Sequence, residues 1–409
     1  LACAYADAGD LERAIPLHEQ VVKATTTLLG PDNYHTIVSI YNLASALEDA
    51  DDYDRALPLY EDAVKKLQGK FGLDHLETLD TMYTLAGAYR DAGKADKAIG
   101  MFKATYEARK STLGPHHEDT LRTLHKLGST YRDSGNFDKA IEVQRDAVRQ
   151  MYAHLGADSR RTLSAMNSLA VSYSRAGQLT RSIAIYERAL GQMRTSLGNN
   201  HSTTLTTMSN LASAYRRTGS QDRAISLYEE TLQLRKQEYG TLHYRTLSTM
   251  RRLAPLYRDT KQFRKASELY DQLLTVTKAQ YGEEHPDTLV NMHNLAFAYQ
   301  HMGNLDAALP IFRQCVALGR KAHPDALTTL YDQVSLGAAL VANQQYGEAE
   351  PLLLTGYRGM QARAGDMPTD NKFLLRAVDG LVALYTALEQ PADVTKWQAA
   401  RSKLVSEQP

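Results

Sequence analysis

The chain has 409 residues, with 47 basic and 47 acidic side chains that cancel. A net charge of zero argues against bulk attraction to nucleic acid or to an anionic membrane surface. The two cysteines, Cys3 and Cys315, stand at opposite ends, which excludes a disulfide framework or a zinc cluster and points to a reducing, cytoplasmic setting. No run of 18 apolar residues is present, so no membrane span is expected.

In chain order, the first segment is "LACAYADAGDLERAIPLHEQVV", which begins halfway through a helix pattern and reads as a fragment of a longer unit. From Gly30 a paragraph of 42 residues repeats without insertion. Gly30, Gly72, Gly114, Gly156, Gly198, Gly240 and Gly282 mark it, and so do Thr36, Thr78, Thr120, Thr162, Thr204, Thr246 and Thr288. Each paragraph predicts two helices. In the seventh, the first helix spans 287–301 and places Leu289, Met292, Leu295, Ala296 and Tyr299 on one face at helical spacing. The second spans 305–318 and does the same with Leu305, Ala308, Ile311, Phe312 and Cys315. Gly303 and Asn304 between them supply a helix stop and a new N-cap. Pro255 falls inside the predicted first helix of its unit, where it predicts a bend.

These signals divide the chain into a partial N-terminal repeat (1–29), six regular 42-residue repeats (30–281) and a seventh with a shortened linker (282–319). A degenerate repeat (320–365) and a C-terminal capping helix pair (366–409) follow, and the first helix after the short linker reads as lengthened. Repeats of this kind cannot bury an apolar face alone and must stack on their neighbours.

Small residues recur in the second helix at Ala14, Ala56, Ala98, Ala140, Ser182, Ala224, Ala266 and Ala308, and the first helix carries Leu-(Ala/Gly)-x-x-Tyr. With these residues the chain resembles the tetratricopeptide repeat. Its 42-residue period, and stretches such as "YDRALPLYEDAV" and "LDAALPIFRQCV", resemble the kinesin light chain class of that repeat. The resemblance covers nearly the whole chain. It implies an all-α fold, a right-handed superhelical solenoid of helix-turn-helix repeats, with first helices lining the inner face. It also implies a scaffold or adaptor role in protein binding, with groove asparagines such as Asn167 and Asn210 bonding a ligand's backbone.

Candidate chemistry is sparse. His75, His117, His201, His243 and His285 each follow the repeat glycine by three residues, but one imidazole per repeat cannot converge on a metal ion. They read as loop residues at the start of the next helix. Glu19, Glu61, Glu187 and Glu229 recur at one site and read as an exposed edge. No nucleophile elbow, phosphate loop or metalloprotease motif occurs, so no enzyme, metal or cofactor is expected.

The first helices carry a second stripe about 120° from the core stripe. Its 28 positions over seven units hold six arginines and two acids, on a chain of zero net charge. Arg90, Arg132, Arg216 and Arg258 lie five residues after the repeat leucine, Arg122 five before and Arg251 two before. His125 and His293 share the stripe. Lys126 flanks it, and so do Asp91, Asp133 and Asp259. Forked guanidinium donors in a groove predict an acidic peptide partner. A second reading makes the repeats the regulatory or substrate-recruiting arm of a larger enzyme, a kinase or protease with its catalytic domain ahead of Leu1. The uncapped N-terminal edge around Cys3–Tyr5 offers a face for self-association.

Overall fold

The computed structural model describes residues 1–324, 326–363, 365 and 372–406. Among them every regular element is an α-helix. The chain divides into two compact units, residues 1–220 and 221–409. The first holds α1 (Ala2–Asp7), α2 (Leu11–Leu29), α3 (Tyr34–Asp49), α4 (Tyr53–Phe71), α5 (Leu76–Asp91), α6 (Ala95–Thr112), α7 (Glu118–Asp133), α8 (Phe137–Leu155), α9 (Arg160–Arg175), α10 (Leu179–Ser196) and α11 (Ser202–Arg217). The second holds α12 (Gln221–Tyr239), α13 (Tyr244–Asp259), α14 (Phe263–Tyr281), α15 (Pro286–His301), α16 (Leu305–Ala322), α17 (Leu327–Ala342), α18 (Tyr346–Ala362), α19 (Lys372–Ala387) and α20 (Pro391–Ser406).

Odd-numbered helices from α3 to α19 are all 16 residues long. The repeat glycine that precedes most of them adopts φ between 86° and 96°, a left-handed region costly to any residue with a Cβ. Its carbonyl is met by the buried threonine six residues on: Thr36, Thr78, Thr120, Thr246 and Thr288 donate to Gly30, Gly72, Gly114, Gly240 and Gly282 at 2.8–2.9 Å. The glycine and threonine columns of the sequence are therefore two ends of one turn. The histidine between them is the N-cap itself. Nδ1 of His75, His117, His201, His243 and His285 accepts the backbone N–H two residues on, at 3.2–3.3 Å. Second helices begin on Asp10, Asp52, Asn136 and Asn304, whose side chains accept the N–H three residues on.

The core follows the leucine stripe. Leu43, Leu85, Leu127, Leu169, Leu211, Leu253 and Leu295 are buried, and the small residues Ala14 through Ala308 of the second helices are fully buried where the helices cross. Within unit 1, α7 touches α9 and α9 touches α11; within unit 2, α15 touches α17 and α17 touches α19. No pair of successive second helices makes as extensive a contact among the described residues. In each unit the first helices thus crowd together on the inner side.

Three sequence features take the following form in the fold. Helix α13 continues on both sides of Pro255, which is half-buried. Pro255 withholds a bond from the Arg251 carbonyl, and its neighbours Leu253, Ala254, Leu256 and Tyr257 are buried. Helix α17 has the standard 16 residues rather than a greater length. Its N-cap is Ala326, and His323 takes the place of the repeat glycine: its carbonyl accepts the Thr329 hydroxyl at 2.8 Å. Third, Glu61, Glu187 and Glu229 are more than an exposed edge. They accept the hydroxyls of Tyr89, Tyr215 and Tyr257 from the following repeat, at 2.5 and 2.6 Å for the last two. Of the C-terminal pair, residues 366–371 and 407–409 lie outside the described residues.

Candidate functional site

The second stripe of the first helices is half-buried rather than open. Three of the four arginines in its main row belong to a Tyr-Arg-Asp triplet, and each guanidinium folds onto the aspartate that follows. Arg90 bonds Asp91 at 2.9 and 3.0 Å, Arg132 bonds Asp133 at 3.0 Å, and Arg258 bonds Asp259 at 2.9 and 3.0 Å. Their charge is largely met locally. Arg216 is followed by Arg217 instead and is exposed; Arg217 donates to the Ser174 carbonyl and hydroxyl at 2.9 and 2.7 Å. Arg251 is exposed too, and neither Arg216 nor Arg251 forms an ion pair among the described residues. Asn167 accepts from the Thr207 hydroxyl at 3.1 Å, which occupies its oxygen, and Asn210 is half-buried.

In unit 1, Arg90, Arg122 and Arg132 act on Lys126, His125 lies beside Lys126 and Arg132, and Arg122 shares the Tyr83 ring with Arg109. Arg109, on the second helix α6, is 1% exposed and lies 5.0 Å from the Tyr83 ring; Arg122 lies 4.6 Å from the same ring. Arg109 pairs with Asp80 and donates to the Thr123 hydroxyl at 2.9 Å. Arg122 pairs with Asp119 at 2.9 Å and leaves its buried Nε without a partner. Lys126 has no ion pair among the described residues. Burial depresses its ammonium pKa and the guanidinium of Arg90 adds to the effect, as do Arg122 and Arg132 against the opposing Asp91. Burial also pushes the His125 imidazole down to about 4, helped by Lys126 and Arg132, and its buried Nε2 has no partner. Burial likewise lowers Arg109. Four of the five cations in the patch thus have an aspartate partner, and Lys126, partly withdrawn from water, has none among the described residues. Arg109 lies off the first-helix stripe because it sits on a second helix. Its column along the repeats reads Thr25, Leu67, Arg109, Met151, Met193, Arg235 and Thr277, and Arg235 in unit 2 likewise donates to a threonine hydroxyl, that of Thr249, at 2.8 Å.

Unit 2 holds a different arrangement. A cavity of about 630 Å³ opens between α15, α17 and α19, with Arg258, His293, Phe297, Tyr331, Phe373 and Arg376 on its wall. His293, expected on an open stripe, is buried, and its Nδ1 lies 2.6 Å from Oδ1 of buried Asp332. The other oxygen of Asp332 accepts from the Cys315 thiol at 3.4 Å. Thiol and imidazole both sit on the carboxylate instead of on each other, and burial pushes the thiol pKa far up, Asp332 adding to it. That is the opposite of an activated cysteine. Arg258 also donates to Asn294 Oδ1 at 2.7 Å. No group of three potential metal ligands occurs among the described residues, and no described helix is long and apolar enough to cross a membrane.

The sequence-predicted residues thus fall into a basic patch in unit 1, a cavity in unit 2, and the scattered Asn167, Asn210, Arg216 and Arg251. Stacked helical hairpins with one inward-facing helix each define a helical-repeat protein. A tetratricopeptide-repeat profile matches residues 1–69, 42–111, 77–153, 161–237, 222–279, 245–321 and 287–362, and a second one matches 125–196. The chain belongs to the tetratricopeptide repeat family, an all-α solenoid fold used as a protein–protein interaction scaffold. Among solved structures, the apo form of RapI is similar at 12% identity and TM-score 0.62, over 91% of this chain and 98% of that one. The apo form of the quorum sensor NprR from B. thuringiensis is similar at 16% identity and TM-score 0.50, over 88% and 96%. The "kinesin light chain nearly identical TPR-like repeats" of Podosopora anserina align at 26% identity and TM-score 0.45, over 51% and 98%. No curated protein sequence matches the chain.

Proposed function

We propose that the protein is a noncatalytic scaffold that binds an acidic, partly extended segment of a partner protein on the inner helices, with its main contact at the basic patch of unit 1. The observation that carries this reading is Lys126. It is a half-buried ammonium with no carboxylate of its own, amid Arg90, Arg122 and Arg132. Such a group is stabilised by an incoming anion more than an exposed lysine would be, because nearby protein reduces screening. Arg122 adds a buried Nε that lacks an acceptor. Charge-assisted hydrogen bonds in this setting contribute roughly 1.5–3 kcal/mol each.

The test is fluorescence anisotropy with a labelled peptide rich in glutamate and aspartate. The parent should bind it, with affinity falling as salt rises. Arg122→Glu with Lys126→Glu should weaken binding at least a hundredfold, while Arg188→Glu on second helix α10 should leave it unchanged. Equal binding by the double variant, or indifference to salt, would remove the acidic-segment reading.

A further inference from the structure

The cavity of unit 2 shares no residue with the basic patch of unit 1, and its chemistry is different. Its walls include the apolar and aromatic side chains Leu289, Phe297, Tyr331 and Phe373, with the Tyr331 and Phe373 rings edge-on at 4.6 Å, beside a smaller polar set. At about 630 Å³ it lies within the size range of small-molecule sites, which are mostly apolar with a few placed polar groups.

The Asp and Arg side chains of the wall can be balanced one by one. Arg258 is met by Asp259, and Asp332 by His293 and Cys315. Arg376 remains. Its guanidinium carbon lies 4.7 Å from the Phe297 ring and 5.5 Å from the Tyr331 ring, and Nη1 donates to the Tyr331 hydroxyl at 2.9 Å. The nearest acid in sequence, Asp379, is taken by Arg401 at 2.7 Å, and Arg376 has no carboxylate partner among the described residues. It is half-buried. Two aromatic rings and one phenol hold it in place, with donors left over. Its charge is felt nearby, for burial lowers the His301 pKa and Arg376 lowers it further.

An aromatic-walled cavity with one fixed, uncompensated guanidinium calls for a flat apolar body bearing one carboxylate. We propose that this cavity is a binding site for a small aromatic carboxylate, with Arg376 reading the carboxylate and Phe297, Tyr331 and Phe373 holding the ring. A guanidinium left unpaired in an apolar wall gains most from a bidentate acid, and the rings supply stacking area at little entropic cost.

The test uses the full chain and two probes that differ only in charge, 2-naphthoate and 2-naphthamide, titrated by isothermal calorimetry. Naphthoate should bind at least tenfold more tightly than naphthamide. Arg376→Gln should reduce naphthoate binding to the naphthamide level and leave naphthamide binding unchanged, with the thermal melt confirming that the variant is folded. Equal binding of the two probes by the parent would overturn the proposal without any variant, as would no measurable binding of naphthoate at millimolar concentration. Undiminished naphthoate binding by folded Arg376→Gln would overturn it as well.

Discussion

His125 is the residue whose setting departs most from what its type suggests. A histidine on a polar stripe of an inner helix reads as a ligand contact. In the fold it lies beside Lys126 and Arg132 with a buried ring nitrogen unsatisfied, and its pKa falls from 6.5 to about 4. The folded protein therefore keeps it neutral where the unfolded chain would protonate it. Between pH 6.5 and about 4 the unfolded state binds the extra proton, so stability is full above 6.5 and is lost as pH falls through that window. The loss at its lower end is no more than about 3 kcal/mol. Urea midpoints at pH 7 and pH 4.5 should differ less in His125→Gln than in the parent. The same slope in both proteins would assign the acid sensitivity elsewhere. The N-cap histidines show the complementary case, in which a column that suggests metal ligands serves the backbone, one imidazole per helix start.

At the scale of the element, the turn between first and second helices takes a left-handed residue every time. Glycine fills it at Gly9, Gly93, Gly135, Gly177, Gly219 and Gly303, with φ between 73° and 82°. Asp51, Lys261, Gln344 and Glu389 occupy the corresponding position with φ between 55° and 60°. A side chain there costs about 1–2 kcal/mol, offset in part by the greater freedom of glycine in the unfolded chain. Lys261→Gly should raise stability by about 1 kcal/mol, and Gly303→Lys should lower it by a similar amount, read as opposite shifts of the urea midpoint. Equal or reversed shifts would show that the turn tolerates any residue. The two glycine columns made the helices and turns legible from spacing alone, because backbone geometry admits few residue types there. The leucine and alanine columns did the same for the core. What spacing could not convey were contacts between columns. Glutamate to tyrosine across repeats, aspartate folded onto the preceding arginine, and Arg109 beneath Tyr83 all depend on which side chains meet after stacking. The cavity of unit 2 was legible only in Arg258 and His293, since Asp332, Phe373 and Arg376 lie where the period has drifted.

At the scale of the whole molecule, the helices within each unit pack on their sequence neighbours, so the stability of a unit is a chain of local terms rather than one shared core. A helix that buries few side chains is held weakly in such a chain. Helix α20 illustrates this, since Trp397 is its one buried residue among those described, edge-on to Tyr357 at 5.0 Å. Trp397 is also the only tryptophan, set against 24 tyrosines spread along the sequence. The protein thus carries an optical reporter at one address. Excitation at the red edge of indole absorption watches the last helix alone, while far-ultraviolet dichroism averages over all of them. In a urea titration the indole emission should shift to longer wavelength before the dichroism falls. Coincident curves would instead mean that α20 melts together with everything else, and that cooperativity extends through it.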